Sequence, residues 1–278
     1  MAWLSKSKAD DFSYTLNSHD FIPVACHYDP NTLMTKNGEL IQIIQIHGIY
    51  SQVVRDDLVN LRNIIRETIR KNIDSDAFAF WIHTIRRKEN LDDPAPYPDL
   101  FSANVHNIWR DKNYWDDKFV NTLYISIVYH KPNLNISSVQ AFMNSLSSGV
   151  LEKFHEDYFA AAATKLRNAV DNILQDLDFF GVRRLGIRTE GDESFSELVF
   201  LFRRIINLNE KPMPIPISDL SLSLATHDYV VGNNQIQVKD SKGLIFASIL
   251  SLKEYHEMSS DAIELLLNLP MEFVATEV

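Results

Sequence analysis

Between residues 39 and 188 the apolar residues change their period in a fixed order, and that order constrains the fold more than any motif does. ELIQIIQI (39–46) reads as a strand, and Val54, Leu58, Leu61, Ile65 and Ile69 then recur at spacings of three or four, the mark of one helical face over 54–72. AFAFWIHTIRR (77–87) is rich in strand-favouring residues, with Phe78, Phe80 and Ile82 on one side and Trp81 and Ile85 on the other. It predicts a strand buried on both faces. NTLYISIVYH (121–130) predicts the next strand, with Leu123, Ile125, Ile127 and Tyr129 sharing a face.

A helical pattern follows over 137–177, continuous or broken around Gly149, with Leu151, Phe154, Tyr158, Ala162, Leu166, Val170, Ile173 and Leu177 near one stripe. Gly181 ends it, VRRLGIRT supplies a short strand, and SFSELVFLFRRIIN (194–207) reads as a helix. Strand, helix, strand, strand, helix, strand is the order of a ferredoxin-like split βαβ unit. SANVHNIWRDKNYW, after Pro94, Pro96 and Pro98, adds a helical insertion near 99–115. The expected class is α+β, with a ferredoxin-like core over about 39–188.

Two punctuation signals complete the layout. Asn37-Gly38 between TLMT and ELIQIIQI is the dipeptide of a type I′ hairpin turn, in which both central residues take positive φ. KPMPIPISDL, with prolines at 212, 214 and 216, is too proline-rich for a central strand and reads as an extended connector. It divides an α+β lobe, 1–210, from a smaller lobe, 211–278. That lobe holds a short helix at SDLSLSLA, a β-meander of HDYVV, QIQVK and LIFASIL, and a helix at SDAIELLLNL.

Composition excludes some classes. The 278 residues are 45% hydrophobic, no apolar run reaches the roughly 18 residues of a membrane span, and MAWLSKSKADDF has no secretory h-region. Cytoplasmic residence is the expectation. One cysteine permits no internal disulfide, and a net charge of −10 opposes wholesale phosphate binding.

Candidate chemistry is sparse. Cys26 and His27 are adjacent on an extended segment, so their side chains point to opposite faces and do not form a nucleophile–base pair. The nine histidines lie at least eight positions apart, and no HxH, HxxxH or CxxC spacing exists. No metal site is expected. His47 and His83 near strand ends read as structural, either hydrogen-bonded or facing solvent. GVRRLGIR sets Gly181 and Gly186 at P-loop spacing, but Ile187 and Arg188 stand where a lysine and a hydroxyl must be.

Basic clusters remain: Arg86-Arg87-Lys88, Arg183-Arg184, Arg203-Arg204, and Arg62, Arg66 and Arg70 every four residues opposite an apolar stripe. Three arginines on one ridge repel one another unless acidic groups or a partner answer them. That ridge is the candidate partner-contact site. Glu67 is the nearby residue that can answer it locally.

FIPVACHYDPNTLMTKNGELIQIIQIHG (21–48) resembles the opening of the conjugation and type IV secretion ATPase family, the CagE/TrbE/VirB group, with Thr35-Lys36-Asn37-Gly38 at its turn. The resemblance continues in order through FWIHTIRRK, FVNTLYISIVYHKP, DFFGVRRLGI, ELVFLFRRIIN and LLLNLPMEFVATEV. It implies an amino-terminal docking domain of a secretion motor, cytoplasmic and peripheral at the inner membrane. The implied partners are inner-membrane components and other copies of the ATPase, with nucleic acid not expected to bind this part. It also implies that MEFVATEV leads into a RecA-like domain, with ATP and magnesium bound there. No catalytic, cofactor or metal residue of that domain has a counterpart here. Two other classes stay open: a standalone enzyme assembled from distant residues, and a nucleic-acid contact module using the arginines.

Overall fold

The computed structural model describes residues 18–48, 55–73, 77–89, 97, 99–113, 118–130, 153–208, 213–216, 219–240, 243–251 and 268–277. In chain order the first elements are β1 (Val24–Asp29), β2 (Thr32–Thr35), β3 (Leu40–Ile46), α1 (Arg55–Asn72), β4 (Phe78–Glu89), α2 (Leu100–Asn113), β5 (Lys118–Tyr129) and α3 (Lys153–Asp176). After them come β6 (Val182–Arg184), β7 (Ile187–Glu190), β8 (Glu193–Ser196), α4 (Glu197–Asn207) and α5 (Leu220–Leu224). The last are β9 (Asp228–Val231), β10 (Ile236–Asp240), β11 (Gly243–Ala247) and β12 (Phe273–Glu277). The chain is α+β.

Contacts group it into two compact units, the described parts of Met1–Ile41, His130–Ala163 and Gly186–Ile249, and those of Gln42–Tyr129, Thr164–Leu185 and Leu250–Val278.

The second unit carries the ferredoxin-like order. β6 pairs antiparallel with β3, β3 lies beside β5, and β5 pairs antiparallel with β4. β12 adds to the far edge of β4, with Phe273 opposite Arg86 and Thr276 opposite His83. The buried face of α3 contains Leu166, Val170 and Ile173, spaced as the sequence requires, with Leu177 just beyond its end. A 3-10 turn (Asp178–Phe180) then stops at Gly181, whose φ of 61° is left-handed. A side chain would be strained there. His47 N–H donates to Gly181 O and Gly48 N–H to Phe180 O, fastening the turn to the chain leaving β3.

His83 sits at the seam of three strands. Its Nδ1 is 2.9 Å from Thr276 Oγ1 on β12 and its Nε2 is 3.1 Å from Ser126 Oγ on β5. Burial lowers its pKa from 6.5 to about 4, so the ring is neutral in the fold, one nitrogen donating and the other accepting.

In the first unit β1 and β2 pair antiparallel, and β2 turns into β3 with Leu33 opposite Ile41 and Met34 opposite Leu40. The hairpin at 35–39 is present, but it is not type I′. Only Gly38 has positive φ, 81°, while Asn37 stays at negative φ. Gly38 N–H donates to Thr35 O (3.0 Å) and Thr35 N–H to Glu39 O (2.9 Å), so Lys36-Asn37 is the turn's centre and Gly38 the bulge after it. Thr35 decides this, because its Oγ1 accepts from Asn37 N–H and Glu39 N–H.

Two further elements differ from the sequence reading. VRRLGIRT is two strands, β6 and β7, parted at Leu185-Gly186. SFSELVF is not helical from Ser194: Glu193–Ser196 forms β8 and pairs with β7 across Gly191, whose φ is 65°. Ser196 then caps α4 by accepting from Val199 N–H at 3.1 Å.

The proline run is tied to this hairpin, since Pro214 bridges Phe195 and Ile215 N–H donates to Ser194 O. The contact grouping places residues from both sides of position 210 in the first unit. The meander forms as β11-β10-β9, while the helix expected at SDAIELLLNL, residues 131–152 with the break at Gly149, and Val54 lie outside the described residues.

Two outcomes follow from these local geometries. Gly38→Val forces a branched side chain into the left-handed region and is expected to cost about 1–3 kcal/mol, read as a lower midpoint in urea denaturation. An unchanged midpoint refutes the turn assignment. Because the His83 pKa is depressed on folding, its contribution is present above pH 6.5 and lost as pH falls toward 4. His83→Gln is expected to flatten stability against pH between 6.5 and 4, measured by thermal melts. A slope equal to that of the unaltered chain counts against the bridge.

Candidate interaction surfaces

The sequence's own candidates resolve into scaffold. On β1, Cys26 faces Met34 and His27 faces Leu33 across the ladder. Burial, with the Asp219 carboxylate as the lesser cause, pushes the Cys26 thiol up to about 12. Burial also lowers the His27 pKa, against an opposing pull from Asp29. Neither group is activated.

The loop with P-loop glycine spacing is occupied. Gly186 N–H donates to Glu197 Oε2 at 3.1 Å and Glu197 N–H returns to Gly186 O at 3.0 Å. A Cβ on Gly186 would stand 2.4 Å from Asn31 Nδ2, so this glycine exists for a close backbone approach. A carboxylate already fills the place a phosphate would take. These residues do not fit a nucleotide. Among the described residues no three His, Cys, Asp or Glu are placed to hold a metal ion.

Most basic clusters have internal work. Arg86 Nε donates to Leu269 O (2.7 Å), its Nη1 to Asn121 Oδ1 (2.9 Å), and its guanidinium lies over Phe119. Arg87 pairs with Glu89, Arg184 with Asp171 and Arg188 with Glu197. Arg204 is buried. On α1, Arg66 and Arg70 are exposed, Thr68 is buried, and Ile65 and Ile69 of the expected apolar stripe are half-buried. Arg70 lies 3.8 Å from Glu67, a surface pair one turn apart that contributes at most about 1 kcal/mol. The side chains of Arg62, Leu58 and Leu61 lie outside the described residues.

The surface that sequence reasoning missed is α2. Asp99 starts it, accepting from Ser102 N–H and Oγ, both at 2.8 Å, and these bonds lower its pKa. Ala103 and His106 are partly covered, yet Leu100, Phe101 and Ile108 are 80%, 77% and 57% exposed, and Val105 and Trp109 are exposed beside them. Tyr97, Phe101, Ser102, Val105, His106 and Trp109 line an open cleft of about 380 Å³. His106 lies between Tyr97 and Trp109, at ring-centre distances of 4.7 and 6.2 Å. The Phe101, Val105, Ile108 and Trp109 spacing was the available signal, but periodicity alone makes such a stripe look like core. Exposed apolar side chains thus share one stretch of α2.

The fold and surfaces define a ferredoxin-like α+β scaffold with an apolar helix displayed on an insertion. Comparison with known families agrees at both ends of the chain. Residues 31–135 match the type IV secretion system ATPase VirB4/TrbE amino-terminal domain, and residues 183–278 match the CagE, TrbE, VirB family, component of type IV transporter system. The chain belongs to this VirB4/TrbE family of type IV secretion components.

Among curated relatives it is 20% identical over 259 residues to the type IV secretion system protein virB4 of Bartonella henselae, covering 93% of this chain and 33% of that protein. It is 20% identical over 261 residues to protein virB4 of Agrobacterium fabrum, covering 92% and 32%. It is 21% identical over 240 residues to the type IV secretion system protein PtlC of Bordetella pertussis, covering 84% and 28%. The chain spans about a third of the length of these relatives.

The Cys26 environment has a direct readout. At pH 8 a thiol raised to about 12 carries far less thiolate than a free one, so alkylation by iodoacetamide is expected to be roughly two to three orders of magnitude slower in the folded chain than in urea. Equal rates, followed by mass spectrometry, contradict the scaffold assignment.

Proposed function

We propose that this chain is the docking and assembly part of a type IV secretion ATPase, noncatalytic in itself. It holds the motor to inner-membrane components and to other copies of the ATPase while the machine moves substrate or builds a pilus. The observation that carries the reading is the apolar face of α2, exposed on a helix that the ferredoxin-like core does not require.

The family matches supply the context of a secretion machine. Peripheral attachment through partners accords with the helices, since none among the described residues is long and apolar enough to cross a membrane. ATP and magnesium belong, on the family resemblance, to a RecA-like domain whose residues have no counterpart here.

Two contacts make up the docking face in this reading. The α2 cleft contributes affinity, because burying a side chain such as Phe101 or Trp109 is worth about 1.5–3 kcal/mol. The α1 ridge of Arg62, Arg66 and Arg70 contributes steering toward an acidic surface.

Phe101→Glu with Trp109→Ala is expected to retain the circular dichroism spectrum and lose at least about tenfold in affinity for the purified inner-membrane components of its own system. Reversing the three arginines to Glu is expected to slow association at low salt more than at high salt. Unchanged affinity in the folded α2 double variant defeats the docking assignment of that face.

A further inference from the structure

Among the described residues, one edge of the three-stranded sheet of the first unit has no partner strand. Its inner face is fixed: Val238 is buried, and Tyr229 Oη donates to Ile206 O at 3.2 Å and lies 2.5 Å from Asn207 Oδ1 on α4. The register places Val230, Gln237 and Phe246 in one cross-strand row, and Asp228, Lys239 and Leu244 in the next, on the outer face. Val230, Leu244 and Phe246 are 59%, 49% and 60% exposed.

β11 forms one edge of the sheet, and among the described residues no strand pairs with its outer side. Natural proteins guard such edges with lysine, proline, a bulge or a covering element. β11 has none of the first three: Gly243 to Leu250 reads GLIFASIL, without charge or proline, and its pairing with β10 runs in unbroken register. The opposite edge, β9, begins with the charged Asp228.

We propose that β11 is a strand-addition site, whose free edge receives an extended, uncharged apolar segment of a partner protein as a fourth strand. Main-chain N–H and C=O groups without a strand partner among the described residues select an extended chain over a helix or a lipid, and Leu244 and Phe246 supply contacts for alternate side chains. Absence of charge on the strand argues for a neutral segment. Size argues for a short segment over a second copy of this chain, because a five-residue edge buries a few hundred Å², below the roughly 1,200–2,000 Å² of stable protein pairs. This surface is separate from α2, and the proposal does not depend on the docking role given to that helix.

The test uses the full chain and a fluorescein-labelled peptide copying residues 243–250, with two lysines added for solubility, followed by fluorescence anisotropy and amide hydrogen exchange. Saturable 1:1 binding is expected, with slowed exchange at 243–247. The peptide with proline at its third position is expected to lose binding, and Phe246→Lys in the chain to weaken it at least tenfold. Leu244→Lys serves the same purpose if Phe246→Lys does not fold.

Three results overturn the proposal: no saturable binding, protection confined to other elements, or affinity unchanged in both lysine variants. A fourth is a chain that sediments as a dimer and becomes monomeric in Phe246→Lys, which makes a second copy the occupant. The α2 double variant is expected to bind the peptide like the unaltered chain.

Discussion

The antiparallel ladder between β4 and β5 is the interaction on which the second unit rests. Its pairs run without a break from Phe78 opposite Tyr129 to Glu89 opposite Lys118. A slip by one residue would exchange Ile125 and Ile127 with the equally buried Ser126 and Val128 and carry Ser126 away from His83. His83 locks the register from the side-chain direction, reaching Ser126 on one neighbour and Thr276 on the other. A neutral, doubly bonded imidazole suits this place, since an unpaired buried polar group costs more than the bonds return.

The same ladder explains why α2 is displayed. Glu89 and Lys118 face each other at the end of the hairpin, so the segment between them leaves and returns at one point. An insertion anchored there can carry an apolar face without disturbing any strand pairing. The core has no call on that face: its own apolar demand is met by side chains such as Ile85, Ile127, Leu166 and Ile173.

Charge is distributed in the opposite way from apolar surface. Arg86, Arg87, Arg184 and Arg188 are engaged with carbonyls and carboxylates of the scaffold, and Arg204 is buried. These five arginines of a chain of net charge −10 are thus committed to the scaffold. The outward features that stand out are apolar, a helix face on α2 and a strand edge on β11. These present different chemistries, one side-chain groove and one row of main-chain donors and acceptors.

Period and order were legible in the sequence. The switch between spacings of two and of three to four named the strands and helices of the ferredoxin-like unit, and Gly181 marked where the long helical stretch ends. The absence of a lysine and hydroxyl after Gly186 ruled out a phosphate loop before any geometry was known. Three things needed tertiary structure. Thr35 moved the centre of the turn to Lys36-Asn37 through hydrogen bonds that a dipeptide preference does not contain. Asn31 set the reason for Gly186 from a position more than a hundred residues away. The direction of the α2 face was the third, because periodicity reports only that apolar side chains share a side of a helix. Whether that side meets the core or solvent depends on where the long-range strand pairing leaves the helix, and no local pattern encodes that placement.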